Sequence, residues 1–326
     1  MKAVRIHGFG GPEVLRCEEV ATPTPGEGEI RLRVHTAGLS YTDLGLRAGR
    51  LSGAPPLPFI PGFEAAGVVD AVGPAVRGFA PGDRAVALLP NQGGLAEFAV
   101  APATTVLAIP EAMSFAQAVA LPAQAPTALL GLRRAAQLRG GESVFVPSAA
   151  GGVGTLLVQL AREMGAGRVI GAASSASKRE LVRRLGAATI DPADPEWPAR
   201  VREATAGQGA DVVFVAGDGE AAARSLEALA PRGRLVLFGA DTLGTTQWSR
   251  EQTAGLMIRN QAIVGFATFT LPLAERQAAL AEVIALVVRG RVDAVVGQTF
   301  ALAAVGEAHA AMAARKTTGK VVIHVT

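Results

Sequence analysis

The sequence predicts an α/β chain in two parts, a barrel-like β domain and a doubly wound parallel sheet. Three observations carry this prediction. The first hundred residues hold short apolar runs cut by frequent Gly and Pro turns. After about Phe115, strand and helix patterns alternate, which implies parallel pairing. At residues 144–154 a hydrophobic run enters a glycine-rich turn that opens an amphipathic helix.

In the first part, Ile30-Arg-Leu-Arg-Val-His35 alternates apolar and polar residues, as a half-buried strand does. Turn signals stand at 23–28, 53–58, Pro61-Gly62, Pro81-Gly82-Asp83 and Gly93-Gly94. In the second part, strands are expected at 143–146, 168–173, 188–190, 211–216, 234–239 and 262–266. Helices are expected at 155–164, 178–185, 197–204 and 220–229. The tail reads as a long helix at 273–289, a strand near 295–300, a helix through Met312 and a last strand at 320–325. We expect that tail to return to the first domain. The domains are then 1–120 with 265–326, and 121–264.

Composition narrows the function. The 326 residues suit two domains, and nearly half are hydrophobic. The net charge of +3 contains no dense basic run, which argues against a nucleic-acid surface. The single cysteine, Cys17, excludes an internal disulfide and a Cys-based zinc cluster. The opening Met1-Lys-Ala-Val-Arg-Ile6 reads as a first strand rather than a signal peptide. The longest apolar stretch, 116–132, is broken by Pro122, Gln124 and Pro126, so no membrane span is expected. The expectation is a soluble cytoplasmic protein acting on a small molecule.

The turn reads Ala149-x-Gly151-x-x-Gly154, and the helix after it places Leu157, Leu160, Ala161 and Met164 on one face. Small residues let the backbone approach a pyrophosphate, and a helix N-terminus offers it N–H groups. Ala149, Ala150, Gly151, Gly152, Val153 and Gly154 are therefore candidate dinucleotide-binding residues, although the strict pattern has glycine where Ala149 stands. An acid at the end of the second strand would select NAD. Here Ser174 and Ser175 follow that strand, and Ser177-Lys-Arg-Glu180 reads as a capping box. Hydroxyls beside Lys178 and Arg179 suit a 2′-phosphate and point to NADPH; otherwise the two cations are solvated helix residues.

The chain resembles the medium-chain dehydrogenase/reductase superfamily, in particular its zinc-free quinone oxidoreductase branch, which includes the zeta-crystallin type. The resemblance rests on Gly38-Leu-Ser-Tyr-Thr-Asp-Leu44, Pro61-Gly-Phe-Glu-Ala-Ala-Gly-Val-Val69, Pro81-Gly-Asp-Arg84, Gly94-Leu-Ala-Glu-Phe-Ala99, the 149–154 turn and Thr318-Gly-Lys-Val-Val322. It implies a GroES-like β-barrel catalytic domain plus a Rossmann domain. Metal-dependent relatives carry a Cys and a His where this chain has Ser40 and Phe63. No metal site is expected, because His7, His35, His309 and His324 are scattered without ligand spacing. Glu64 remains as a relic of the metal motif or as a structural residue.

The resemblance further implies hydride transfer from NADPH to a quinone or to the activated C=C bond of an enone or enoyl substrate. Alternatives are a tailoring enoyl or iminium reductase acting on a bulky metabolite, and a weakly catalytic NADPH-binding structural or regulatory protein. Tyr41, the sole tyrosine, is either a proton or hydrogen-bond donor or a packing residue. Ser40 either holds a carbonyl or ribose hydroxyl or caps a turn. Asp43 is read as orienting backbone or Arg47. Thr127 lies near the nicotinamide amide or caps a helix. Phe238, Gly239 and Ala240, at a strand end, would approach the nicotinamide. Lys320 reaches a cofactor phosphate or is a surface lysine.

Relatives carry tyrosines where this chain has Gly45 and in the stretch Arg50-Leu51. The usual aromatic after the third nucleotide-domain strand is replaced by Asp191-Pro192. From the family, a homodimer or homotetramer is expected, with the strand edge near 262–266 as a pairing surface.

Overall fold

A computed structural model describes residues 1–51, 53–216, 219–239 and 246–325. Contacts divide the chain into two compact units. One holds Met1–Ala123, Leu280–Gly290 and Ala294–Thr326; the other holds Gln124–Ala279 and Arg291–Asp293.

The first unit is built from β strands. β1 (Lys2–Ile6) pairs antiparallel with β2 (Leu15–Glu19). A seven-stranded sheet then forms around β3 (Glu29–Leu39), with α1 (Tyr41–Arg47) directly after it. β3 is long enough to serve three partners. Its first half pairs with β6 (Phe98–Pro102), its second half with β15 (Lys320–His324), and most of its length with β4 (Glu64–Val72). β5 (Arg84–Leu88) and β7 (Val106–Ala108) extend the sheet on one side, and β14 (Val296–Ala301) closes the other.

The alternation expected at 30–35 is present. Ile30, Leu32 and Val34 are buried and Arg33 is exposed. From Thr36 to Leu39 every side chain is buried, because α2 (Phe115–Val119) covers the opposite face. The His35 ring stacks on Phe115 at 4.6 Å. The tail joins this sheet through β14 and β15, with α10 (Val305–Ala313) between them.

The second unit is a six-stranded parallel sheet in the order β10-β9-β8-β11-β12-β13. The strands are β8 (Ser143–Val146), β9 (Arg168–Ala172), β10 (Ala188–Ile190), β11 (Ala210–Val215), β12 (Leu229–Leu237) and β13 (Ala262–Gly265). The helices are α3 (Gln124–Leu130) before the sheet, then α4 (Gly152–Glu163), α5 (Ala176–Arg184), α6 (Trp197–Ala204), α7 (Gly219–Ser225) and α8 (Arg250–Ile258). α9 (Leu273–Val288) leads back toward the tail. The strand order reverses between β8 and β11, the switch point where open α/β sheets bind ligands.

Several elements differ from expectation. α4 starts at Gly152 rather than at 155. Glycine is tolerated there because the first-turn amides have no intrahelical partner in any case. α7 ends at Ser225 rather than 229, because Leu229 is drawn into β12 opposite Ala210. α1, α2 and α8 show no legible 3.6-residue period, α1 having Gly45 in its middle, and α3 begins at Gln124, three residues before Thr127. Among the described residues no helix is long and apolar enough to cross a membrane.

Candidate active site

The candidate nucleotide-binding residues at 149–154 belong to the second unit and lie at the switch point of its sheet. The Ala149 amide donates to the Ala172 carbonyl (3.1 Å), which ties the turn to the end of β9. The Gly151 amide donates to the Ser148 carbonyl (3.1 Å), and α4 begins one residue later. The amides of Gly152, Val153 and Gly154 thus form the open first turn of α4. A β-carbon on Gly154 would lie 2.0 Å from the Ser148 carbonyl oxygen, so only glycine fits there. Ala149 fits where the strict pattern has glycine because its own neighbour is a glycine. A β-carbon on Gly171 would lie 2.5 Å from that of Ala149.

Beyond β9 the helix cap corrects the sequence reading. Ser175, not Ser177, caps α5: its Oγ accepts the Lys178 amide at 3.2 Å. Helical geometry begins at Ala176, which places Ser177 inside the helix with its Oγ 3.1 Å from that of Ser175. Ser174 is exposed and Lys178 is half-buried in the first turn. Burial holds the Lys178 amine below its usual range. Arg179 is committed elsewhere: Nη1 donates to the Ala173 carbonyl (3.0 Å) and pairs with Asp191 at 2.8 Å. Asp191, after β10, thus serves as the anchor of Arg179.

At the end of β12, Phe238 packs edge-on against Phe214 (6.1 Å) and its amide donates to Val215 (3.0 Å). Gly239 has φ +85°, a conformation that favours glycine. Ala240 lies outside the described residues. Thr127 is the fourth residue of α3, not its cap, and its Oγ1 lies 2.8 Å from Thr268 Oγ1.

The substrate-side candidates belong to the β unit, where α1 leaves β3. The Asp43 carboxylate turns back on the helix start, accepting from the Ser40 amide (2.7 Å) and from Ser40 Oγ (2.8 Å). Asp43 is buried, and Ser40 is half-exposed. Burial raises the Asp43 pKa to about 6; the Ser40 hydrogen bonds and Lys320 oppose the rise, and Glu64 adds to it. Asp43 thus orients backbone, as expected, but not Arg47. Arg47 instead faces His309 of α10, whose ring burial and the Arg47 charge depress to a pKa of about 3. The Tyr41 hydroxyl donates to the Met312 carbonyl of α10 (3.1 Å).

Lys320 corrects both readings offered for it. It is no surface lysine and does not present its ammonium to a phosphate. It is buried and ion-paired with the fully buried Glu64. Glu64 also accepts the Ala123 amide at 3.0 Å. In the sheet, Gly38 of β3 pairs with Glu64 on one side and Val322 on the other. A β-carbon on Gly38 would lie 2.5 Å from Lys320 Cε, so the lysine crosses β3 where that strand has no side chain.

Comparison with known proteins fits this geometry. Residues 26–111 match the family described as alcohol dehydrogenase GroES-like domain, and residues 152–289 match that described as zinc-binding dehydrogenase. A quinone oxidoreductase of Pseudomonas aeruginosa is 35% identical over 99% of both chains. The chain belongs to the zinc-free quinone oxidoreductase branch of the medium-chain dehydrogenase/reductase superfamily. The crystal structure of Escherichia coli quinone oxidoreductase complexed with NADPH superimposes with a TM-score of 0.91 at 28% identity, covering all of both chains. The human synaptic vesicle membrane protein VAT-1 homolog-like protein superimposes with a TM-score of 0.87 at 32% identity, covering 100% of this chain and 98% of that one.

Neither Ser40 nor Phe63, the residues that the sequence resemblance sets against the metal ligands of zinc relatives, supplies a thiolate, imidazole or carboxylate. Among the described residues no group of three or more His, Cys, Asp and Glu is placed to hold a metal ion. Gly45 and Leu51 pack on each other. A β-carbon on Gly45 would lie 2.7 Å from Leu51 Cδ1. Sequence reasoning had no signal for this pairing, for the Glu64–Lys320 pair or for the Arg179–Asp191 pair, since the partners are joined only by the fold.

Proposed function

We propose that this protein is an NADPH-dependent, zinc-independent reductase that passes hydride to a quinone or to the activated C=C bond of an enone or enoyl acceptor. The observation that carries this reading is the open first turn of α4 beside Ser174 and Lys178, with no acid ending β9. NADPH fits these residues, because the space at Gly154 admits no side chain and the neighbouring amides point out of a helix start.

The α4 amides of Gly152, Val153 and Gly154 would hold the pyrophosphate, with Ala149, Ala150 and Gly151 shaping the turn. Ser174 and Lys178 would hold the 2′-phosphate, with Ser175 fixing the helix that carries Lys178. Gly239, Phe238 and Thr127 would border the nicotinamide. NADPH, when bound, supplies the hydride. The protein orients the acceptor, excludes water and stabilises charge that develops on its oxygen.

The test is NADPH oxidation with a panel of quinones and enones, followed at the nicotinamide absorbance. Turnover is expected; tight NADPH binding without oxidation by any acceptor overturns the reading. A second reading, a reductase for one bulky apolar metabolite, is favoured by the Gly45–Leu51 packing, which puts apolar surface where relatives carry tyrosines. Slow turnover of every small quinone alongside fast turnover of a large apolar enone would select it.

For assembly we propose a homodimer or homotetramer formed through β13, one of the two edge strands of its sheet. Met257, Ile258 and Phe269 in the same unit are each more than three-quarters exposed. Light scattering that gives a monomer mass would exclude this.

A further inference from the structure

The bonds that hold Arg179 leave its faces unused. Nη1 donates to the Ala173 carbonyl (3.0 Å) and pairs with Asp191 Oδ2 (2.8 Å). A guanidinium is planar and its N–H bonds lie in that plane, so both contacts fix the plane and occupy neither face. Asp191 is held in turn, because its Oδ1 accepts the Ala193 amide at 3.0 Å. The Arg179 side chain is 20% exposed. Three other arginines lie over protein rings: Arg31 over Phe98 (5.6 Å), Arg84 over Phe115 (4.6 Å) and Arg224 over Trp197 (5.2 Å). Among the described residues no ring lies over Arg179.

The guanidinium also occupies a particular place on the sheet. Ala173 follows β9 and Asp191 follows β10, and these strands are neighbours, with Ala172 opposite Ile190. Arg179 therefore bridges the carboxyl ends of β9 and β10, on the side of β9 away from β8 and the 149–154 turn. A dinucleotide with its pyrophosphate on that turn sets its adenosine ribose at the end of β9. The base carried by that ribose then reaches the ends of β9 and β10. Consecutive helix residues point about 100° apart, so Lys178 and Arg179 address different parts of one nucleotide.

We propose, resting on the NADPH site read above, that the Arg179 guanidinium is the platform on which the adenine ring stacks, and that Asp191 is the positioning residue that fixes its plane. A guanidinium stacks on a flat base while its N–H groups stay hydrogen-bonded at its edge. A lysine ammonium carries the same charge but has no plane to offer. The contact takes no part in holding the 2′-phosphate. It therefore serves NADPH and NADH alike, and selection between them stays with Ser174 and Lys178.

The test uses NADPH, NADH and adenosine 2′,5′-bisphosphate with the full chain. In wild-type protein carrying isotope-labelled arginine, bound adenosine 2′,5′-bisphosphate should show a nuclear Overhauser contact between an adenine ring proton and the δ-methylene of Arg179. Arg179→Lys keeps the charge and loses the plane, and calorimetry should show all three probes bound about 10-fold more weakly. Arg179→Tyr restores a plane without an ion pair to Asp191 and should recover most of that loss, a rescue that a purely structural anchor would not show. Asp191→Ala should weaken all three about 3-fold, because the platform is then less preorganised. Wild-type affinities in Arg179→Lys, equal losses in Arg179→Lys and Arg179→Tyr, or adenine contacts that bypass Arg179 would overturn the platform and leave the NADPH site standing. Failure of the wild type to bind either NADPH or adenosine 2′,5′-bisphosphate would overturn both.

Discussion

Lys320 and Glu64 form a buried ion pair that spans three strands, with the lysine passing over Gly38. Two charges removed from water are retained only while each has the other. Lys320→Met should therefore leave Glu64 uncompensated and cost about 3–5 kcal/mol. The double variant Lys320→Met with Glu64→Gln keeps an acceptor for the Ala123 amide and should recover most of that loss. Denaturant unfolding of the three proteins checks it; a single variant as stable as the wild type would show that the pair does not carry this energy.

Ala149 and Gly171 are complementary in volume, since a second β-carbon would sit 2.5 Å from the first. Gly171→Ala should lower stability by about 1–3 kcal/mol and weaken NADPH binding, because the displaced turn is the pyrophosphate site. Ala149→Gly should rescue it in part only, since Val182 Cγ1 lies 2.7 Å from the same added carbon. Calorimetric binding and thermal melts of the single and double variants would measure the coupling.

Lys178 and Arg179 differ in what holds them. Arg179 is bound to Ala173 and Asp191, whereas Lys178 stands in the first turn of α5 beside exposed Ser174. Lys178→Ala should weaken NADPH binding by about 1.5–3 kcal/mol, the worth of a hydrogen bond to a charged group, and leave NADH binding nearly unchanged. Arg179→Ala should instead reduce stability and affect both nucleotides alike. Equal losses for NADPH and NADH in Lys178→Ala would remove it from the 2′-phosphate site.

His309 predicts an acid-sensitive fold. Burial, and then Arg47, depress its pKa from 6.5 to about 3. A depressed folded-state value means that the stability is complete above pH 6.5 and is lost as pH falls toward 3. Asp43 acts in the opposite sense: its value is raised from 3.8 to about 6, so its contribution is complete below 3.8 and is lost as pH rises through 6. The His309 window is the wider of the two. Relative to the wild type, His309→Leu should gain roughly 2–3 kcal/mol between pH 7 and pH 4.5. Urea unfolding at the two pH values measures this, and a constant difference would show that His309 is not buried neutral.

The amino-acid pattern by itself determined the two-part architecture, the chain order of the strands in the parallel sheet and the class of cofactor. Strand alternation at Ile30–Val34, the small residues at 149–154 and the missing acid after β9 are local signals, because a strand face, a tight turn and a helix start each depend on residues adjacent in the chain. Short helices such as α1 and α8 escaped because Gly45 interrupts α1 and α8 buries no residue, so neither shows an apolar face at helical spacing. Tertiary structure alone decided what Lys320, Arg179 and Tyr41 do. Each carries a long polar side chain whose partner, Glu64, Asp191 or the Met312 carbonyl, lies elsewhere in the chain, and its role depends on which strand or helix the fold sets beside it. Lys320 in particular reads as exposed at a strand start, yet the absence of a side chain at Gly38 lets the ammonium cross β3 to a carboxylate that no sequence period connects to it.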